Sequence, residues 1–290
     1  MITGSIVALV TPMHGDGSID WEALSGLLDW HVESGTAAVV AVGTTGESAT
    51  LDVKEHLAVV DFCVRQLHGR LPLIAGTGAN STREAIELTR GAASVGADAC
   101  LLVTPYYNRP SQRGLFEHFR AIAAAVDVPQ LLYNVPSRTA VDMSNETTLR
   151  LAAIDNIVGI KDATGDLERG RQLLAQIPEG FAVYSGDDAT AARLILAGAA
   201  GNISVTANVV PALVAELCAA ALAGDASRVE ALDKRLGPLN AALFVEANPM
   251  PVKYALQQLG RMQGGIRLPL TLPEGEAAAT VDAALAEFRG

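Results

Sequence analysis

The chain has 290 residues, half of them apolar and few aromatic, enough to bury a large core as one big domain or two smaller ones and too apolar for a disordered chain. Its net charge of -11, with no Lys/Arg run longer than two, argues against a nucleic-acid partner, which needs a basic footprint. The opening MITGSIVALVTPMHGDGS has no charged n-region ahead of an apolar stretch, and no apolar run approaches the roughly 20 residues that cross a bilayer, so a cytoplasmic protein without a membrane span is expected.

Short β-branched runs closed by Gly, Thr, Asn or Pro predict strands in chain order: IVALVTP from Ile6, AAVVAVGTTGES from Ala37, LPLIAGTGANS from Leu71 and ADACLLVTPYYN from Ala97. PQLLYNVPSR from Pro129, NIVGIKDATGD from Asn156, FAVYSGDD from Phe181 and GNISVTANV from Gly201 follow. The runs are continuously apolar, as strands covered on both faces should be. Between them lies helix grammar. Ser81 with Glu84 forms a capping-box pattern ahead of Ala85, Leu88, Ala92 and Val95 at helical spacing. Gly35, Gly69, Gly96 and Gly180 stand where helix ends want a left-handed residue.

Eight β-α units predict an α/β fold, a (β/α)8 TIM barrel over residues 1–224. Pro211 opens a helix with an apolar stripe of Leu213, Val214, Leu217, Cys218, Ala221 and Leu222. Residues 225–290 form an appended C-terminal helical segment, expected to pack on the barrel or on a neighbouring subunit. A doubly wound sheet has only Gly76-Thr-Gly78 in its favour, which lacks the third glycine of a dinucleotide fingerprint.

Barrel enzymes place their chemistry where strands end, and here those positions are polar: Thr11, Thr44 to Glu47, Tyr106 to Asn108, Tyr133, Asn134, Arg138, Lys161, Asp162, Ser185 to Asp187, and Ser204 to Asn208. Of the four lysines, Lys54, Lys234 and Lys253 fall in predicted helices as solvated surface amines. Lys161 follows Ile157 to Ile160 at the end of a buried strand, a costly place for an ammonium. Two readings are open for it: an ion pair with Asp162 or another buried carboxylate, or an amine whose pKa burial lowers until it can condense with a ketone. Tyr106, Tyr107 and Tyr133 share the rim, where packing or proton transfer would each explain them. Gly43 to Glu47 offers small residues and hydroxyls for a carboxylate, with Glu47 expected to cap the following helix. Cys63, Cys100 and Cys218 read as buried free thiols, and the five histidines lack ligand spacing, so a metal-dependent mechanism is not expected.

Together, VGTTGES, GTGANS, VTPYYNRPSQ, LYNVPSRT, GIKDATGD, YSGDD and ISVTANV resemble the signatures of the 4-hydroxy-tetrahydrodipicolinate (dihydrodipicolinate) synthase family, within the Schiff-base pyruvate aldolase/N-acetylneuraminate lyase superfamily; the match runs from about Gly4 to Lys253. The resemblance implies a lyase that condenses pyruvate with L-aspartate 4-semialdehyde in the diaminopimelate route to lysine, with no metal or organic cofactor required. It implies Lys161 as the Schiff-base amine, Tyr133 as proton donor and acceptor, and Thr44 and Tyr107 completing a hydroxyl relay, Tyr107 reaching in from a neighbouring subunit. Thr45, Gly186 and Ile203 are then pyruvate contacts. Arg138 in NVPSRT suits the carboxylate of the second substrate, a loop brace being the other reading. The family further implies a homotetramer, a dimer of dimers, and inhibition by free lysine at Ser48, Ala49, His56, Asn80, Glu84 and Tyr106. Val53 departs from that pattern, since strongly inhibited relatives carry histidine there. Sugar-acid aldolases of the N-acetylneuraminate or 2-keto-3-deoxygluconate type share the lysine and tyrosine and form the alternative; a silent barrel used as a scaffold would be expected to have lost one of Lys161, Tyr133, Thr44 or Tyr107.

Overall fold

A computed structural model describes residues 1–288. In chain order the elements are β1 (Gly4–Ala8), α1 (Trp21–Glu33), β2 (Ala38–Ala41), α2 (Val53–Leu67), β3 (Leu73–Gly76), α3 (Thr82–Ser94), β4 (Ala99–Val103) and α4 (Gln112–Ala125). They continue as β5 (Gln130–Asn134), α5 (Pro136–Thr139), α6 (Asn145–Leu151), β6 (Ile157–Asp162), α7 (Leu167–Leu174), β7 (Ala182–Ser185), α8 (Ala191–Leu196) and β8 (Gly201–Ser204). The chain ends with α9 (Pro211–Leu222), α10 (Ala226–Ala242), α11 (Met250–Gln258) and α12 (Gly275–Leu285). The strands pair in parallel from β1 through β8, and β8 closes onto β1, the predicted (β/α)8 barrel.

Why every strand reads as a continuous apolar run follows from its two buried faces. One set of side chains, including Ile6, Val40, Ile74, Leu101, Leu131, Tyr133, Tyr184 and Ile203, fills the barrel interior. The alternating set, including Val7, Val39, Leu73, Leu102, Leu132, Ile160 and Val183, faces the helices. Because the strand period is two, placing Ile160 outside turns Lys161 inward. Its strand neighbours in register are Tyr133 on β5 and Tyr184 on β7, so one residue's shift in β6 would remove the amine from the interior.

The helix ends agree in part with the expectations. Gly35, Gly69, Gly96 and Gly180 all take positive φ. Ser81 occupies the N-cap position of α3 but makes no side-chain capping bond; Glu84 instead lines a surface cavity beside Tyr106. A two-way capping box is formed by Asp52 and Glu55 at the start of α2, so Asp52, not Glu47, caps that helix. In α9, Val214, Leu217, Cys218 and Ala221 are buried while Leu222 is 44% exposed, which narrows the predicted stripe. Gly76 and Gly78 are explained by strand crowding: a Cβ at Gly76 would sit 2.5 Å from the Val42 carbonyl, and one at Gly78 would collide with Val103 backbone. The dinucleotide reading of those glycines is thereby removed.

From residue 225 onward, α10 packs on α9 and α8, and α12 on α10 and α11. The segment between α10 and α11 reaches further, over the C-terminal ends of the strands, with Phe244, Ala247 and Asn248 lining a cavity there. Among the described residues, no helix is long and apolar enough to cross a membrane.

Candidate active site

Most side chains that converge above the barrel are delivered by a strand end or the loop after it, and Phe244, Ala247 and Asn248 come from the segment between α10 and α11. Lys161 at the end of β6 is 5% exposed and opens into a cavity of about 540 Å³ lined also by Thr45, Tyr133, Arg138, Gly186 and Asp187. Burial lowers its amine from the ordinary 10.5 to about 8; the Asp188 carboxylate opposes that shift and the Arg138 guanidinium adds to it. Near neutral pH roughly one amine in ten then lacks its proton, hundreds of times more than for an unperturbed lysine. The ion-pair reading loses its ground. Asp162 is engaged elsewhere, accepting the Thr164 N–H at 2.8 Å and facing Arg169 at 3.6 Å, while Asp188 accepts from Asn202 Nδ2 at 2.7 Å and from the Val205 and Thr206 amides at 2.9 and 3.0 Å.

Tyr133, at the end of β5, lies with its ring centroid 4.4 Å from Lys161 Nζ. Burial pushes its phenol up, against the pull of Arg138 and of a hydrogen bond with Thr44. A hydroxyl so placed next to a partly neutral amine can pass a proton to and from a carbinolamine oxygen. Gly186 follows β7, and its lack of a side chain is required, because a Cβ there would lie 2.7 Å from Lys161 Cε and 2.8 Å from Ala163 Cβ.

The loop after β2 is a tight turn in which Gly46 N and Glu47 N bond the carbonyls of Gly43 and Thr44 at 3.0 and 3.1 Å. Glu47 adopts a left-handed conformation, and its carboxylate is inaccessible, paired with the equally inaccessible Lys253 from α11. Lys253 is thus no surface amine: α11 turns that face onto the β2 loop, and burial lowers its pKa while Glu47 raises it. Lys54 and Lys234 are exposed, as expected. Arg267 N donates to the second oxygen of Glu47 at 3.1 Å, and the Arg267 guanidinium clasps Glu55 at 2.6 and 2.7 Å.

The predicted residues fall into three groups. Lys161, Tyr133, Thr44, Thr45, Arg138 and Gly186 meet around one cavity or are bonded to its lining. Ile203 has no exposed surface and lies within the barrel interior with Tyr133. Tyr107 stands apart, 90% exposed with φ of 73°, a strained conformation for a tyrosine. Ser48, Ala49, His56, Glu84 and Tyr106 line a second cavity of about 370 Å³, with Val53 also on its wall; Asn80 joins through its amide, which donates to the Tyr106 carbonyl at 3.2 Å. Thr44, Arg138 and Asn248 border this cavity as well, so it adjoins the lysine site. Asn248 escaped the sequence reasoning, since it lies far along the chain from any strand end; the polar residue ahead of Pro-Met-Pro in ANPMP was the available signal. Cys63, Cys100 and Cys218 are buried and free.

The sequence profile of the dihydrodipicolinate synthetase family matches residues 1–288. The chain is 65% identical over 271 residues, 93% of each chain, to 4-hydroxy-tetrahydrodipicolinate synthase of Cellvibrio japonicus. Among solved structures it is similar to the chloride-inhibited dihydrodipicolinate synthase of Acinetobacter baumannii complexed with pyruvate, at 55% identity and a TM-score of 0.98 over 99% of both chains. It also resembles the Cyanidioschyzon merolae enzyme with lysine bound, at 39% identity and a TM-score of 0.95 over 98% of this chain and 97% of that one.

Proposed function

The chain belongs to the dihydrodipicolinate synthetase family, and from that premise we infer that it is a lyase condensing pyruvate with L-aspartate 4-semialdehyde to give 4-hydroxy-tetrahydrodipicolinate, on the route to diaminopimelate and lysine. The observation that carries the mechanism is the Lys161 amine, lowered to about 8 by burial and facing Tyr133 across a cavity open to substrate. The neutral amine attacks the pyruvate ketone. Tyr133 protonates the oxygen, which leaves as water, and an iminium remains; Thr44, bonded to Tyr133, relays protons. The iminium draws electrons from the methyl group, so a methyl proton leaves and an enamine forms. Its carbon attacks the aldehyde of the second substrate, whose amine then closes on the iminium carbon and expels Lys161.

Thr45 is assigned to the pyruvate carboxylate, with Gly186 and Ile203 backbone beside it. Arg138, exposed at the rim, is assigned to the carboxylate of the semialdehyde, which a guanidinium pairs bidentately. Tyr107 completes the relay of a neighbouring subunit in a homotetramer built as a dimer of dimers; its 90% exposure and positive φ in the single chain suit a residue held by a contact outside its own barrel. Free lysine is assigned to the cavity of Ser48, Ala49, His56, Glu84 and Tyr106 with Asn80. Exposed Val53 on its wall offers no hydrogen bond to that ligand, so inhibition is expected to be weak. A cytoplasmic location fits the supply of both substrates.

Borohydride reduction with pyruvate should add one pyruvyl group to Lys161 and abolish turnover of both substrates in a coupled assay. An unmodified Lys161, or faster release of pyruvate from a sugar acid than its consumption with the semialdehyde, would overturn this reading. Sedimentation of the purified protein tests the tetramer, and a titration with free lysine tests the second cavity.

A further inference from the structure

A hydroxyl has one proton and two lone pairs, so what it can offer a substrate depends on what its protein neighbour takes. Asn248 Nδ2 lies 2.9 Å from Thr45 Oγ1. An amide nitrogen only donates; Thr45 must therefore accept, and its own proton is left for another acceptor. Thr45 lines the cavity into which Lys161 opens, as does Asn248. A pyruvate bound to Lys161 carries its carboxylate one bond from the reacting carbon, so an oriented hydroxyl proton is what that group needs there.

Resting on the reading of Lys161 and Thr45 above, we propose that Asn248 is a positioning residue for the first substrate: its amide fixes the Thr45 hydroxyl as a donor to the pyruvate carboxylate. Asn248 is 5% exposed, and it is held on both sides. Five residues on, Lys253 is buried in its pair with Glu47, two residues beyond Thr45 on the same turn. The C-terminal segment thereby grips the loop at two points and keeps donor and acceptor opposed. The Asn248 backbone serves a different residue, because its carbonyl accepts from the Arg138 guanidinium at 2.9 Å. Side chain and main chain of one residue thus address the contacts of the two substrates separately.

That division makes the proposal selective. Asn248→Ala keeps the carbonyl and loses the amide, so the KM for pyruvate should rise roughly tenfold, the worth of one oriented bond to a charged group. Its kcat at saturating pyruvate and the KM for the semialdehyde should stay near wild type. Asn248→Asp has nearly the same shape but accepts the Thr45 proton instead of donating, and should be at least as impaired; a packing role would leave it near wild type. In a Thr45→Val background, Asn248→Ala should add little, since the hydroxyl it orients is gone. Wild-type pyruvate KM in both Asn248 variants, or full additivity with Thr45→Val, would overturn the proposal; should the alanine variant not fold, the aspartate variant decides. Borohydride trapping separates the two levels. Trapping at Lys161 with unchanged KM values refutes the role of Asn248 alone, whereas no trapping in the wild type removes the reading of Lys161 and this inference with it.

Discussion

Replacing Lys253 by methionine should destabilise the protein severely although the residue lines neither cavity. Methionine fills similar space, but it strands the Glu47 carboxylate at a site with no accessible surface, leaving it the Arg267 N–H at 3.1 Å. Breaking one side of a buried pair costs about 3–5 kcal/mol. For 290 residues the entropy of unfolding at the midpoint is about 0.6 kcal/mol per kelvin, so the thermal midpoint should fall by about 5–8 °C. Glu47→Gln in the same protein removes the stranded charge and retains an acceptor for Arg267, so the double variant should recover most of the loss. Differential scanning calorimetry of the wild type, both singles and the double, without pyruvate, measures all four corners of the cycle. A drop below about 2 °C for Lys253→Met, or losses that simply add in the double variant, would refute the reasoning, because only an uncompensated buried charge makes each single worse than the pair.

Gly186→Ala would push a methyl group to 2.7 Å from Lys161 Cε; borohydride trapping should slow by roughly 100-fold, as expected for an ångström-scale displacement of a reacting group, and trapping at the wild-type rate would exclude the clash. Lys161→Met should stabilise the protein near pH 7: the folded amine, at about 8 instead of 10.5, binds its proton less tightly than the unfolded one, a penalty of about 3 kcal/mol that is complete below pH 8 and vanishes above 10.5. Thermal midpoints at pH 7 and 10.5 check this, and a variant less stable than wild type at pH 7 contradicts it. Burial lowers His31 and His118 each to about 4 from 6.5, so as pH falls through that window the unfolded chain takes up protons the folded one refuses, and stability should decline by up to about 1.4 kcal/mol per pH unit per histidine. His118 Nδ1 lies 2.9 Å from the Thr82 hydroxyl, so His118→Asn, which keeps a polar partner there, should flatten the decline; an unchanged slope would acquit His118.

Much of this protein is legible along the chain, and the reason is local. A barrel strand covered on both faces must be apolar throughout, and each strand ends where the chain turns polar, so both the eight strands and the ring of Thr44, Tyr133, Lys161 and Gly186 announce themselves within a few residues. Alternation along β6 even dictates that Lys161 points inward once Ile160 faces the helices. What sequence alone misjudged lies at long separation. Lys253 reads as an ordinary surface lysine on a helix, and Glu47 as a helix cap, because nothing within ten residues of either reveals that α11 folds back over the β2 loop. Asn248 is 203 positions from Thr45 and 110 from Arg138. The sequence by itself determined the fold and which candidate groups stand at the strand ends, since periodicity and turn chemistry act between neighbours; only the closed barrel and its C-terminal segment decided which charges are buried together, how far the Lys161 amine is shifted and which amide faces Thr45, because desolvation and hydrogen bonding depend on distance in space and not along the chain.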